Sequence, residues 1–576
     1  MNKQIITILV SLITFSFYGQ EVSKDTIDTE EINIIKPYTP KIKDAFKIKK
    51  SPQIGDDSLN EKKEVKYAIN SVPVASTFTP AKGKAKGVSR KQKERIYDNY
   101  ASVAFGNYTT PKIELFAHSS TTRDNDFGAT LNFHSSKGDV KDVVLNNNFA
   151  KANLDLFYKN SLRDMDWQVN TGYQYQQQNW YGLFDNGSLL SQTQIDGIDE
   201  KQVYNSFKIG GNIAYYDSFF KGIKTDINIF TDAYKSSEIH FLATPKFQFP
   251  LSTEWLDTDI RLEYVSGTFK NDYFTNTAQK YGFYNFGLMP NFKVLRDYLT
   301  INLGANLVYS GATQNNGVSK FFIYPNVSAS YELIQDVITL YANVTGDLHQ
   351  QTYRGFVAEN PFVSPTLNVG RTNEKYNAKI GTKGKMTSRL SFNINASYKD
   401  ENAKALFKLN EDLSNTATPN DYQFANAFGI VYDNVKTLGF FGELTLDLSK
   451  ELSLGGNLNF NSYDTDLQQK AWNLPALKGS VFGNYNTNKW AIGANLFYVG
   501  ERDDQYIDNM RFLPVVNDIT AKSYVDFNLN IGYNFTDRLT AFIHGNNLLG
   551  TNYEKYNHYK VQGIQVLGGL KYKFDL

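Results

Sequence analysis

From about Asn99 to the last residue the chain repeats one pattern, an apolar residue at every second position with polar residues or glycine between. The stretch Val525-Asp526-Phe527-Asn528-Leu529-Asn530-Ile531-Gly532-Tyr533-Asn534-Phe535 carries it most plainly, with every odd position apolar. Successive side chains of a β-strand point to opposite faces, so such a segment has one oily face and one wet face. In a soluble sandwich the oily face meets a second sheet. In a membrane barrel it meets lipid, and the polar face lines the lumen.

The pattern predicts strands at Lys112–Ser119, Leu145–Tyr158, Trp167–Tyr175, Asn205–Tyr216 and Leu299–Tyr309. It predicts more at Leu390–Tyr398, Gly442–Leu448, Leu452–Tyr463, Trp490–Tyr498 and Ile564–Phe574. Tight turns rich in Asp, Asn and Gly fall between them. They are Leu162-Arg163-Asp164, Lys221-Gly222, Arg296-Asp297, Gln335-Asp336, Ser449-Lys450, Asn486-Thr487-Asn488 and Thr536-Asp537-Arg538. Longer polar loops are expected at 183–203, 349–366, 400–425 and 500–519. Short turns alternating with long loops mark an up-and-down membrane barrel. The expected fold class is therefore all-β, a transmembrane antiparallel up-and-down β-barrel over residues 96–576. Region 222–270 leaves the strand number open. At roughly 22 residues per strand and connection the barrel holds about 22 strands, or about 14 to 16 if loops take more of the chain. Tyr158, Tyr309, Tyr398, Tyr463 and Tyr498, at strand ends, suit an aromatic girdle at the headgroup level.

Composition removes several alternatives. The 576 residues include 60 Lys+Arg and 59 Asp+Glu, a balance that offers nothing to nucleic acid. Mean hydropathy is −0.43, and no stretch past the first twenty residues reaches the ~20 apolar residues of a membrane helix. A barrel passes that scan unseen, because only alternate residues face lipid. The start of the chain differs: Asn2 and Lys3 precede an apolar run Ile5–Phe17, and Tyr18-Gly19-Gln20 forms a cleavage region. Residues 1–20 therefore read as a signal peptide. The absence of cysteine excludes disulfides, thiolate metal sites and lipid attachment through cysteine.

Residues 21–95 read as an extended periplasmic or lumenal segment, too poor in apolar residues to fold alone. Pro37 and Pro40 keep it extended, and Lys82, Lys84, Lys86, Arg90, Lys91, Lys93 and Arg95 form a basic run. An exported chain with alternating strands and no helical anchor belongs in the outer membrane of a Gram-negative cell, with lipid as its first partner.

Catalytic chemistry is not legible. His118, His134, His240, His349, His544 and His558 are scattered, no two at metal-ligand spacing. His544 and Asn546 share a strand face, but no serine can be placed with them. The loop Glu501–Asn509 carries four acids without EF-hand spacing. No catalytic residue, metal or cofactor is assigned, and an enzyme is not expected.

The last strand has Gly569, then Tyr572, then Phe574, the spacing of a barrel-insertion signal, followed by Asp575 and Leu576. Upstream stand Asn546-Asn547-Leu548-Leu549, leading to Tyr553-Glu554, and the turn Tyr533–Leu539. In these residues the chain resembles the TonB-dependent receptor family. The resemblance implies a barrel, outer-membrane transport and TonB or another envelope protein as partner. It departs from the family in one respect, since a plug domain of well over a hundred residues is replaced by about 75 residues. Within these, Glu31-Ile32-Asn33-Ile34-Ile35 is similar to a TonB box, which adds as a strand to its partner. Lys36-Pro37-Tyr38-Thr39-Pro40, Asp44-Ala45-Phe46-Lys47-Ile48 and Gly106–Pro111 resemble a plug-less, receptor-like subfamily of the Bacteroidetes. A wide lumen must be filled, either by residues 21–95 or by a partner. The leading expectation is solute transport across the outer membrane. The alternative is a non-transporting barrel subunit of a secretion or barrel-assembly complex.

Overall fold

The computed structural model describes residues 97–576, apart from 123, 252–253, 276, 315–318 and 510–513. The signal peptide (1–20), the segment 21–95 and the TonB-box-like residues Glu31 to Ile35 lie outside the described residues.

Twenty-two antiparallel strands form one sheet that closes on itself. The first, Asn99–Gly106, pairs with Thr110–Thr122 on one side and with the last, Gln565–Phe574, on the other. Val103 sits opposite Ile113 across one seam and opposite Leu570 across the other. The remaining strands follow in chain order, each bonded to the strands before and after it. Closure leaves no row of unpaired amides, which hydrocarbon could not solvate. Two small hairpins stand outside the ring: Arg502–Asp508 with Val515–Ala521, and Glu554–Tyr556 with Tyr559–Lys560. This is a transmembrane β-barrel with the expected number of strands.

The alternation sorts side chains as the sequence predicts. Val525, Ile543 and Leu570 point outward and are exposed, whereas Asp526 points inward and is buried. Such an apolar outer surface is stable only in lipid. Connections at one end, the turn end, are never longer than four residues, and the long ones all lie at the other, the loop end, which also holds the short links 107–109 and 233–236. Outward aromatics meet near the turn end, Tyr158 with Trp167 at 5.3 Å and Trp490 with Tyr533 at 4.7 Å. Tyr309 and Tyr398 are also exposed outside. Tyr463 is not a girdle residue. Leu458 and Phe460 face lipid, so an odd-numbered neighbour turns inward, and Tyr463 packs against Leu406, Val435 and Trp472.

Several boundaries moved for local reasons. The strand predicted from Leu145 starts at Phe149, because Asn147 spends its side chain on the loop, accepting from Val140 N at 3.1 Å. The loop predicted from residue 400 starts after Leu409: a bulge between Glu401 and Lys404 lets the strand run on, and Leu406 and Leu409, on its opposite faces, are both buried. Region 222–270 holds parts of three strands, Phe220–Asp232, Ser237–Leu251 and Glu254–Phe269. The turn expected at Lys221-Gly222 precedes Phe220. Gly222, at φ +145, instead takes a bulge beside Phe220.

Leu570 and Lys571 test the sorting directly. Leu570→Lys places a charge in lipid and should lower barrel stability by about 2–4 kcal/mol if it lies at mid-bilayer. Lys571 one position on is tolerated, since it faces the lumen 4.0 Å from the Tyr100 ring. Urea unfolding followed by the heat-modifiable gel shift reads the difference.

Candidate functional site: a roofed lumen

The inner wall is charged, but its charges are matched. His240 Nε2 lies 3.0 Å from Glu263, and the Arg261 guanidinium forks onto Asp347 at 2.5 and 3.0 Å. Lys208 lies 3.0 Å from Asp226, and Lys399 3.5 Å from Glu374. A hydrogen-bond chain stitches neighbouring strands: Arg371 donates to Ser310, Ser310 to Asn285, and Asn285 to Glu263 at 3.0 Å. Planar, forked Arg–carboxylate pairs hold side chains in place where single charges would wander.

The loop end is covered. Loop 180–200 joins the fifth and sixth barrel strands, 351–370 the thirteenth and fourteenth, 410–427 the fifteenth and sixteenth, and 547–564 the last two. Contacts between loops so far apart on a ring must cross the lumen. Asn426 Nδ2 donates to the Trp180 carbonyl at 3.3 Å, and the Tyr559 hydroxyl donates to the Asn426 carbonyl. Tyr181 Oη donates to the Lys560 carbonyl at 2.9 Å, Tyr204 Oη to Pro361 at 3.0 Å, and Tyr273 Oη to Glu411 at 2.7 Å. Phe362 stacks on Tyr559 with ring centres 3.6 Å apart. Trp180, Tyr353, Val363 and Phe428 are fully buried in this cluster. Each tyrosine buries its ring and uses its hydroxyl on a backbone carbonyl of a loop-end connection.

The helix Tyr353–Glu359 anchors the roof to the wall. Thr352 caps it, accepting from Gly355 N at 2.9 Å. The amides of Tyr353 and Arg354, free because they start the helix, donate to the buried Glu238 carboxylate at 2.6 and 3.1 Å. Tyr353 Oη donates to Asp232 at 2.8 Å, and Tyr281 Oη to Glu238 at 2.7 Å. Gly182 permits a close approach of two loops: a Cβ there would lie 2.6 Å from the Tyr559 ring.

Asp504 and His558 are among the titratable groups buried in the roof. Asp504 accepts from Leu409 N, Gln505 N and Asn473 Nδ2 at 2.7 to 3.0 Å. Burial nevertheless pushes its pKa up to about 6. His558 packs edge-on to Phe184, and burial pulls it down to about 4. Asp504 favours the folded roof fully below its ordinary value of 3.8, and this is lost as pH rises through about 6. His558 works the other way: its contribution is present above 6.5 and lost as pH falls through about 4.

The sequence-derived candidates separate into three groups. Gly569, Tyr572 and Phe574 lie on the closing strand, with Tyr572 and Phe574 stacked at 6.4 Å. The four-acid loop Glu501–Asn509 is largely a hairpin strand, with Asp504 and Asp508 buried in the roof. Among the described residues no group of His, Asp and Glu could hold a metal. The histidines serve the wall and roof instead. His544, for example, packs on Phe542 at 4.7 Å. The roof itself was not read from the sequence. Its one signal is the apolar run Trp180-Tyr181-Gly182-Leu183-Phe184, out of place in a polar loop.

No protein-family model matches the chain, and no curated protein matches it. Solved structures do. The FrpB iron transporter from Neisseria meningitidis superposes with a TM-score of 0.64 at 10% identity, over 84% of this chain and 82% of that one. The chain has their barrel fold. The pyoverdine receptor FpvA from Pseudomonas aeruginosa gives 0.61 at 15% identity, over 84% of this chain and 80% of that one. The siderophore receptor PirA from Acinetobacter baumannii gives 0.61 at 11%, over 83% and 80%.

Two outcomes are expected. Gly182→Val should push Tyr559 aside, loosen the roof and raise single-channel conductance in a planar bilayer above wild type. In His558→Gln the opposing histidine trend is gone, so limited proteolysis of the roof should accelerate as pH rises from about 4 to 6. The wild type should change far less over that range.

Proposed function

We propose that the chain is an outer-membrane, TonB-dependent receptor-like barrel that acts in solute transport, with its turn end in the periplasm and its roof outside the cell. The observation that carries this reading is the fold shared with an iron transporter, a pyoverdine receptor and a siderophore receptor over more than four-fifths of the chain. The reading agrees with the insertion signal Gly569, Tyr572 and Phe574 and with the exposed apolar band. Glu31, Ile32, Asn33, Ile34 and Ile35 are the proposed strand for TonB, and 1–20 the proposed signal peptide. In this reading the roof is a gate, and a solute passes when the loops part.

One feature favours a second reading, a barrel subunit of an envelope machine. The roof is packed like a protein interior, with Trp180, Tyr353 and Phe428 fully buried. Opening it would expose that core, which costs more than moving a flexible loop.

Purification in mild detergent with mass spectrometry of co-eluting proteins separates the two. A lone barrel whose conductance rises when a solute is added supports transport. A stoichiometric assembly with other envelope proteins, and silence in the bilayer, supports the subunit.

A further inference from the structure

Where the roof helix Tyr353–Glu359 meets the wall it leaves a cavity of about 40 Å³. Gln174 and Gln176 of strand Met165–Asn179 and Ser206 of strand Lys201–Tyr215 line its wall side. Arg354 lines its helix side, and Tyr204, Phe230 and Val357 supply apolar surface. The space holds roughly three waters, and so the oxygens of one oxyanion group. Gln174 and Arg354 keep part of their surface in solvent, so the recess is reachable.

Its polar groups are idle. Gln176 is 5% exposed and Ser206 also 5%, yet neither side chain is hydrogen-bonded within the protein. Both open on the cavity, and their polar atoms are not sealed by neighbours. The positive charge around it is also uncompensated. Arg354 gives Glu238 only its backbone amide, and its guanidinium stays free. Lys151, on strand Phe149–Ser161, lies opposite Gln176, and Lys555 comes close enough to repel it. Among the described residues neither lysine enters an ion pair. On its other side Lys151 lies opposite His134, and His134 opposite Lys112, which Glu114 already holds at 2.8 Å. Water could satisfy the amides, but it carries no charge to offset three gathered cations. An anion does both.

We propose that this recess binds the oxyanion group, a carboxylate or a phosphate, of a small anionic solute. The Arg354 fork takes two of its oxygens, and Gln174, Gln176 and Ser206 donate to an acceptor-only group. Lys151 and Lys555 draw the anion in from the rim, and the apolar surface of the recess strengthens each bond by lowering the local dielectric. The proposal deepens the transport reading by naming a solute class, and it rests on that reading only in calling the anion a solute in passage.

Isothermal titration calorimetry on the full-length barrel in detergent, its assembly checked by the heat-modifiable gel shift, tests the site. The probes are citrate, pyrophosphate, spermine and sucrose. Saturable binding of citrate or pyrophosphate, weakening as salt is raised, is expected, and the better of the two tells carboxylate from phosphate. Arg354→Gln should weaken it about tenfold or more, and Arg354→Lys should recover only part, since an ammonium cannot fork. Gln176→Leu, which leaves charge unchanged, should weaken it by a smaller factor. Lys379→Gln removes a charge on strand Arg371–Lys385, across the ring, and should leave affinity unchanged. If Arg354→Gln does not assemble, Lys151→Gln takes its place with the same direction expected. An equal loss in Lys379→Gln makes the attraction a property of the whole lumen and overturns the site. Equal binding of spermine or sucrose, no binding by an assembled barrel, or full binding in Arg354→Gln overturns it too. Liposomes holding the barrel keep the two readings apart. Anion binding without anion entry strikes transport and leaves the site, whereas entry that neither Arg354→Gln nor Lys151→Gln alters strikes the site and leaves transport.

Discussion

Hydrocarbon cannot hydrogen-bond an amide, and the rest of this molecule follows from that constraint. A strand in lipid must be paired on both sides, so the sheet must close, and here the first strand closes on the last through Val103 and Leu570. Closure with 22 strands fixes the size of the ring. Strands ~4.8 Å apart and tilted about 40° give a diameter of roughly 40 Å, far wider than side chains alone can fill. The wall then has to be wet inside and oily outside, and strand alternation supplies both from one sequence.

The lumen raises a second problem, since a hole of that width would breach the membrane. The chain answers at one end with its own loops. The roof is built as a small protein core: rings buried in the middle, tyrosine hydroxyls on loop carbonyls, and a helix start resting on Glu238. Each buried aromatic ring removes about 150–250 Å² from water, so several together outweigh the ordering of long polar loops. The same burial displaces Asp504 and His558 from their ordinary titration ranges in opposite directions. The wall below is held by matched ion pairs such as Arg261 with Asp347 and Lys208 with Asp226.

The sequence carried the barrel because its signal is local. Residues Val525 to Phe535 state their two faces without reference to any other part of the chain, and turns such as Thr536-Asp537-Arg538 state where they end. The closing strand, with Gly569, Tyr572 and Phe574, was equally plain. Errors arose where a side chain or a bulge intervened. The Asn147 side chain bonded loop backbone at Val140 and Leu145, and the bulge at Glu401 carried a strand ten residues into an expected loop.

What the sequence determined by itself was the class of surface: apolar and polar positions at a period of two, a balanced charge, no thiol chemistry, and strands too many to bury anywhere but in lipid. What only the tertiary structure decided was which distant residues meet. Trp180 and Tyr422 share a cluster, and Gly182 yields space to Tyr559, across hundreds of residues with no periodic pattern to announce it. The row of Lys112, His134, Lys151 and Gln176 likewise exists only in register. A strand fixes which face each of its side chains takes. Which neighbour stands beside it is set by the pairing of the closed sheet.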